Sequence, residues 1–266
     1  MAAERAILYD GGRVFYRVSG QGAAVVLLHG IPADGTLWNN QLKTLALFKL
    51  ITPDLPGSGR SELISQTNIE GMAEAVKAIL DEEGESQAVI IGHSLGGYVS
   101  LAFAEKYAGR LRGFGLFHST SYPDSEERKA MRRNAIEFIK TNGAHEFLKT
   151  SVANLFAPGN REKNAVEISN LIEKTKIFSS RALISYYEAM LERPDRRAVL
   201  ANLPFPVLLV AGTYDNAAPL NDILEQSHLP ATGYLHVLSQ SGHMGMLEEP
   251  NKASRVLHEY LEAVHR

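Results

Sequence analysis

The sequence predicts an α/β fold: a mostly parallel central sheet flanked by helices, with a helical cap inserted after the sixth strand. Three observations predict it. Runs apolar on both faces, such as Ala24-Val25-Val26-Leu27-Leu28 and Ala88-Val89-Ile90-Ile91, alternate with segments whose apolar positions recur at helical spacing. This alternation marks βα units around a buried parallel sheet. Second, Gly92-His93-Ser94-Leu95-Gly96-Gly97 joins one such run to a helical pattern starting at Tyr98. Third, nearly 90 residues separate the sixth strand, 113–118, from the next clear strand, 206–211, far more than a crossover helix requires.

The elements follow in order. Residues 6–9 and 13–18 are β-rich and flank Asp10-Gly11-Gly12, which reads as a hairpin turning on the Gly-Gly pair. The strand 24–28 ends in His29-Gly30-Ile31-Pro32, and a helix pattern runs through Leu37, Trp38, Leu42 and Leu45. The strand Leu50-Ile51-Thr52-Pro53-Asp54 enters Leu55-Pro56-Gly57-Ser58-Gly59-Arg60-Ser61, a loop dense in turn residues. Residues 69–80 form an amphipathic helix before the strand 88–91. The interval after residue 118 shifts toward charge and helix formers. Asp124-Ser125-Glu126-Glu127 reads as a capped helix start, with Met131, Ala135, Phe138 and Ile139 as one apolar face. Further helical patterns cover 147–155, 166–172 and 182–191, punctuated by Pro158-Gly159 and Arg193-Pro194-Asp195. A strand at 234–238 and a helix at 251–264 close the chain. The division is a core of 1–119 with 201–266 and a cap of 120–200. The cap's charge and its Pro-Gly interruption predict looser packing there.

Composition bounds the function. The 266 residues carry a net charge of −3, 45% hydrophobic residues and no cysteine. Such a balance gives no electrostatic footprint for nucleic acid or an anionic membrane. Zero Cys excludes disulfides, thiolate catalysis and Cys-ligated metals. The start Met1-Ala2-Ala3-Glu4-Arg5 lacks an apolar signal region, so a cytoplasmic, membrane-free protein is expected. The basic cluster Arg128, Lys129, Arg132 and Arg133 reads as a solvated helix face; a carboxylate-binding role for one arginine is the alternative.

Chemistry concentrates at the carboxyl ends of the strands. A Gly-x-Ser-x-Gly at a strand–helix junction strains the serine and lifts its hydroxyl above the sheet. The Leu95 amide, at the helix N-terminus, points toward an anion forming beside Ser94. A serine nucleophile needs a base and an orienting carboxylate. Asp215 follows the strand 206–211, and His243 lies on the last strand-to-helix loop; in a parallel sheet both loops emerge on the edge that carries Ser94. Read alone, Asp215 also fits an N-cap for the helix after Pro219, and His243 also fits a surface loop. The order Ser94, Asp215, His243 decides for the triad. Asp124 is the rival acid, in surroundings that read as a helix cap. His29 is assigned to tying the loop that presents the Ile31 amide, the second oxyanion donor. Asp54 and Ser58 are assigned to a tight turn. His29, His118, Phe138, Tyr186 and Met244 are candidates for lining a substrate pocket. No His/Asp/Glu cluster has metal-ligand spacing and no nucleotide-binding glycine pattern occurs, so neither a metal nor another cofactor is expected.

Across nearly its whole length the chain resembles the α/β-hydrolase superfamily. The resemblance rests on Leu28-His29-Gly30-Ile31-Pro32, the loop 54–61, the serine motif, Gly212-Thr213-Tyr214-Asp215 and Gly242-His243-Met244. Glu192-Arg193-Pro194-Asp195-Arg196 is similar to a stretch of small esterase and enol-lactonase relatives. The resemblance implies an α/β-hydrolase fold, a Ser94 nucleophile, a His243 base, an Asp215 orienter and oxyanion amides at Ile31 and Leu95. Dehalogenase and epoxide-hydrolase relatives carry Asp where Ser94 stands, and cyanohydrin-cleaving ones need positive charge that 240–247 lacks. The implied activity is hydrolysis of a small acyl substrate (ester, lactone or thioester) through an acyl-enzyme. The alternatives are carbon–carbon bond hydrolysis or perhydrolysis by the same triad, and a ligand receptor retaining fold and triad.

Overall fold

The computed structural model describes residues 2–265. Eight strands form one sheet: β1 (Ala3–Tyr9), β2 (Gly12–Ser19), β3 (Ala24–Leu28), β4 (Lys49–Pro53), β5 (Ala88–His93), β6 (Leu111–Phe117), β7 (Val207–Gly212) and β8 (Gly233–Leu238). Their order is β1-β2-β4-β3-β5-β6-β7-β8. Only the β1–β2 and β2–β4 pairings are antiparallel; from β4 through β8 the sheet is parallel. Strand alternation divides the core. In β3, Val26 and Leu28 face one apolar cluster and Val25 and Leu27 the other, and every one of them is fully buried, as a sheet covered by helices on both faces requires.

Eleven α-helices accompany the strands among the described residues: α1 (Asn39–Leu42), α2 (Ile69–Glu82), α3 (Leu95–Tyr107), α4 (Glu126–Asn142), α5 (Ala144–Ser151), α6 (Ala165–Thr175), α7 (Ser180–Glu192), α8 (Arg197–Ala201), α9 (Leu220–Gln226), α10 (Gly245–Glu248) and α11 (Pro250–His265). Asn68 caps α2 by accepting the Gly71 amide, and Ser125 caps α4 by accepting that of Arg128. None is long and apolar enough to cross a membrane.

Local expectations change in four places. The hairpin turns on Asp10 and Gly11, both at positive φ, while Gly12 already belongs to β2; two such residues give the twist a two-residue hairpin needs. The helix expected over 37–45 is a 3₁₀ turn, Gly35–Trp38, followed by the single turn of α1. The apolar face of α4 is Ile136 and Ile139, with Met131 and Phe138 largely exposed. The insertion carrying α4 to α8 is not loosely set. Tyr186, Leu183 and Val152 are fully buried, and Tyr186 and Val152 join the two main core clusters.

Two ion pairs on the buried Asp124 tie that insertion together. Arg193 Nη2 donates to Asp124 Oδ1 at 2.9 Å, Arg132 Nε donates to Asp124 Oδ2, and neither Asp124 nor Arg193 is appreciably exposed. The Arg193 guanidinium lies 4.0 Å over the ring of Tyr98 on α3, a cation–π contact. Asp124 is therefore not a cap and not free to orient a histidine. Arg132 is only partly exposed, because its guanidinium follows the buried carboxylate; Arg128 reaches the Ala217 carbonyl at 3.1 Å.

Candidate active site

β5 delivers Ser94 through a turn that only small neighbours permit. Ser94 has φ 51° and ψ −117° and leads directly into α3, a conformation L-residues seldom adopt. A Cβ on Gly92 would stand 2.2 Å from the Gly96 carbonyl oxygen, and one on Gly96 would stand 2.7 Å from that of His29. Strand and helix backbones therefore touch across the turn. The strain is held from both sides: the Ser94 amide donates to the Phe117 carbonyl at 3.1 Å, and Ser119 Oγ donates to the Ser94 carbonyl at 2.8 Å.

The neighbouring β3 loop closes on the same point. A Cβ on Gly30 would lie 2.7 Å from Ser94 Cβ, which puts the Ile31 peptide beside the serine. The loop is fixed by His29, whose Nε2 accepts the Leu55 amide at 2.9 Å. That bond places the ring proton on Nδ1, which donates to the Gly30 carbonyl at 2.9 Å. Ser58 Oγ also lies 3.0 Å from Nε2 and donates to the Leu55 carbonyl at 2.7 Å. Asp54 accepts the Gly35 and Arg60 amides and pairs with Arg17 at 2.7 Å. The amides of Ile31 and Leu95 have no hydrogen-bond acceptor among the described residues.

β7 and β8 bring the acid and the imidazole. His243 Nδ1 lies 2.8 Å from Asp215 Oδ2, and both side chains are buried. The other oxygen, Oδ1, accepts the Ala217 and Ala218 amides at 2.8 Å each. Burial alone would raise the Asp215 pKa; the charge of His243 and the N–H donors of His118 and His243 overcome it and hold the carboxyl far below the usual carboxylate range. The backbone of His243 is fixed as well. Its amide donates to the Leu155 carbonyl at 2.7 Å, and its carbonyl accepts His93 Nε2 at 2.9 Å. His93, immediately before Ser94, thus ties the serine turn to the histidine loop. Burial, then the nearness of His243 and His118, pushes the His93 pKa well below that of free imidazole, so it acts as a neutral donor. Ser94 Oγ makes no hydrogen bond to His243 among the described residues.

Two side chains near the site make contacts that the sequence did not announce. Glu248, on α10, is buried: Oε1 accepts the Gly242 and Met244 amides at 2.8 and 3.3 Å, and Oε2 accepts the Ala157 amide at 2.8 Å. It clamps the peptides on either side of His243 and joins them to the insertion. His118 is the other. Expected to line a pocket, it is buried with Nδ1 2.9 Å from Asp215 Oδ2. Its signal was positional, since it directly follows β6 and the Asp215 loop follows the adjacent β7.

The remaining pocket candidates divide. A groove of about 710 Å³ runs under α4, lined by Phe138, Met131, Phe147 and Tyr187, with Asn216 and Ala217 of the acid loop on its rim. Phe138 is one of its walls. Tyr186 is not: it is fully buried and its hydroxyl donates to the Pro56 carbonyl at 2.8 Å. Met244 is fully buried in the apolar cluster under β3 and β7, and His29 is used up by its loop. Neither Ser94 nor His243 lines this groove.

His118, Asp215 and His243 also form a three-member set of metal-capable groups. Both Nδ1 atoms already stand at hydrogen-bond distance from one carboxylate oxygen. A metal ion there would have to displace both ring protons.

A family model described as the alpha/beta hydrolase fold matches residues 23–250. The chain belongs to the α/β-hydrolase family. Its relatives include esterases and enol-lactonases. The sequence is 27% identical to the 2-hydroxy-6-oxo-6-phenylhexa-2,4-dienoate hydrolase of Comamonas testosteroni, over 93% of this chain and 91% of that one. It is 25% identical to 3-oxoadipate enol-lactonase 1 of Acinetobacter baylyi, over 91% of this chain and 89% of that one. Among solved structures, a thermophilic esterase from Thermogutta terrifontis superposes with a TM-score of 0.91 at 27% identity, covering 100% of both chains. Ser94, Asp215 and His243 stand on the loops after β5, β7 and β8.

Proposed function

We propose that this α/β hydrolase is a serine hydrolase that cleaves a small carboxylic ester, lactone or thioester through an acyl-enzyme on Ser94. The observation that carries the reading is the 2.8 Å contact from His243 Nδ1 to Asp215 Oδ2. With its Nδ1 proton held by an ionised carboxylate, neutral imidazole presents an unprotonated Nε2, the acceptor a serine proton needs. Ser94 Oγ attacks the acyl carbon while its proton passes to His243. The carbonyl oxygen becomes an oxyanion, received by the Ile31 and Leu95 amides. Collapse expels the alcohol, enol or thiol, which takes the proton from His243. Water, deprotonated by the same imidazole, then releases the acid and restores Ser94. The helices of residues 120–200 act as a cap over this site, and the groove under α4 receives the larger substituent.

A second reading, hydrolysis of a carbon–carbon bond, is favoured by the Comamonas relative, whose name specifies a dienoate substrate. The same three residues would serve it. A panel of p-nitrophenyl esters of rising chain length, enol-lactones, thioesters and a vinylogous 1,5-diketone separates the two, with Ser94→Ala as control. Sustained Ser94-dependent turnover of the oxygen or sulfur esters supports the proposal. Turnover of the diketone alone supports the second reading, and stoichiometric labelling without turnover supports a receptor.

A further inference from the structure

We propose that His118 is a positioning residue of this site, a permanent second imidazole donor that fixes the Asp215 carboxylate and tempers its pull on His243. The inference rests on the serine-hydrolase reading above.

Four observations carry it. First, Asp215 Oδ2 is shared: His118 Nδ1 lies 2.9 Å and His243 Nδ1 2.8 Å from the same atom. With the Ala217 and Ala218 amides on Oδ1, four N–H donors fill the roughly four acceptor sites a carboxylate has. Three of those donors stay in place while His243 moves through a catalytic cycle. Second, His118 occupies the left-handed region, φ 51°, which strains a non-glycine residue and persists where surroundings over-determine it. Its amide is held by the Val210 carbonyl at 2.8 Å. Third, the chain clears space for the ring: a Cβ on Gly245 would stand 2.5 Å from His118 Nε2, and one on Gly212 2.9 Å from its Cε1. Fourth, Nε2 is buried with no partner among the described residues. An unpartnered ring nitrogen is tolerable only as the bare lone pair of a neutral imidazole, so the single proton is on Nδ1, facing Asp215.

The charged and titratable groups around the ring agree with a neutral donor. His93 at the end of β5 lies 6.1 Å away centroid to centroid, and His243 after β8 lies 5.7 Å away. Glu248 on α10 and Asp215 after β7 supply the negative charge. Burial outweighs both carboxylates and lowers the His118 pKa. A neutral N–H donor draws electron density from Oδ2 without adding a second cation beside His243. The pull of the carboxylate on the His243 ring is weakened accordingly.

The test compares His118→Leu, which removes the donor, with His118→Asn, which returns an N–H near the place of Nδ1. The readouts are kcat and the pH profile of kcat/KM on p-nitrophenyl acetate. His118→Leu should lower kcat on the order of tenfold, the effect of a lost hydrogen bond to a charged group, and move the rising limb to higher pH. His118→Asn should recover much of the lost kcat and return the limb toward the wild-type position. A His118→Leu limb that stays in place while kcat and melting temperature fall together would reduce His118 to packing and overturn the proposal. So would a His118→Asn variant no better than His118→Leu. Should neither variant fold, the wild-type protein still decides. Long-range ¹H–¹⁵N spectra of labelled histidine at pH 8 should show His118 as the Nδ1–H tautomer, and an Nε2–H tautomer overturns it. Failure of the underlying reading is distinguishable, because wild type and Ser94→Ala would then turn over the ester equally.

Discussion

Exchanging Asp215 for Asn removes one charge and almost no volume, and the surrounding donors dictate the consequence. Oδ1 accepts two backbone amides, Ala217 and Ala218, which have no alternative protonation state. The Asn carbonyl must therefore take the Oδ1 position, leaving its NH₂ where Oδ2 was. There it meets the Nδ1 protons of both His118 and His243. Donor faces donor, and each ring can escape only by shifting its proton to Nε2. For His243 that shift removes the lone pair that would accept the Ser94 proton. The expected loss is about 10⁴ in kcat, the effect of the wrong tautomer in a serine–histidine–aspartate site, or roughly 5 kcal/mol of barrier. Stability should fall by about 1–3 kcal/mol, because hydrogen bonds to a charged acceptor are lost inside the core. Asp124→Asn is the matched control. It uncouples buried Arg193 and should destabilise by roughly 3–5 kcal/mol, yet keep kcat within a few fold per folded molecule. Ester hydrolysis at saturating substrate, beside thermal melts, measures both. The role given to Asp215 is refuted if Asp215→Asn stays within tenfold of wild type, or if folded Asp124→Asn is the slower enzyme.

The same geometry carries other expected outcomes. His29, His93 and His118 are buried, and burial lowers the pKa of each. Below the unfolded value near 6.5 the unfolded chain binds protons that the folded one refuses, so stability falls as pH falls, by up to ~4 kcal/mol per pH unit for three groups. Urea midpoints at pH 7.5, 6.5 and 5.5 should decline steeply over the last step; a flat series contradicts buried neutral rings. Tyr186→Phe removes the bond to the Pro56 carbonyl and should lower stability by about 1 kcal/mol while leaving the acyl-chain profile as it was. Phe138→Ala, at a residue 44% exposed on the groove, should shift preference toward longer chains by at most ~1 kcal/mol per methylene with little change in melting temperature. A lowered melting point with an unchanged profile would make Phe138 a packing residue.

What the sequence makes legible is what the backbone alone decides. Ser94, Asp215 and His243 can be read because each follows an apolar strand, and a parallel sheet sends all such loops to one edge. Side-chain pairing between neighbouring loops cannot. His118 and Asp215 are 97 residues apart, and nothing in their local patterns announces a shared hydrogen bond. Aromatics at helical spacing are equally ambiguous: Tyr186 and Tyr187 are adjacent in sequence, yet Tyr186 enters the core while Tyr187 walls the groove. Arg132 reads as solvated because its neighbours are charged, and only the buried Asp124 accounts for its partial cover. Glu248 carries no signal, since a carboxylate that accepts backbone amides matches no residue pattern.

The central claim, that Ser94 is an activated nucleophile served by Asp215 and His243, is tested most directly by one measurement. The protein is reacted with a fluorophosphonate, digested and mapped by mass spectrometry, alongside ester turnover by the same preparation. An activated Ser94 predicts a single stoichiometric adduct on that residue, loss of turnover in step with labelling, and neither adduct nor turnover in Ser94→Ala. An adduct on another residue, or turnover that survives full labelling of Ser94, would contradict it.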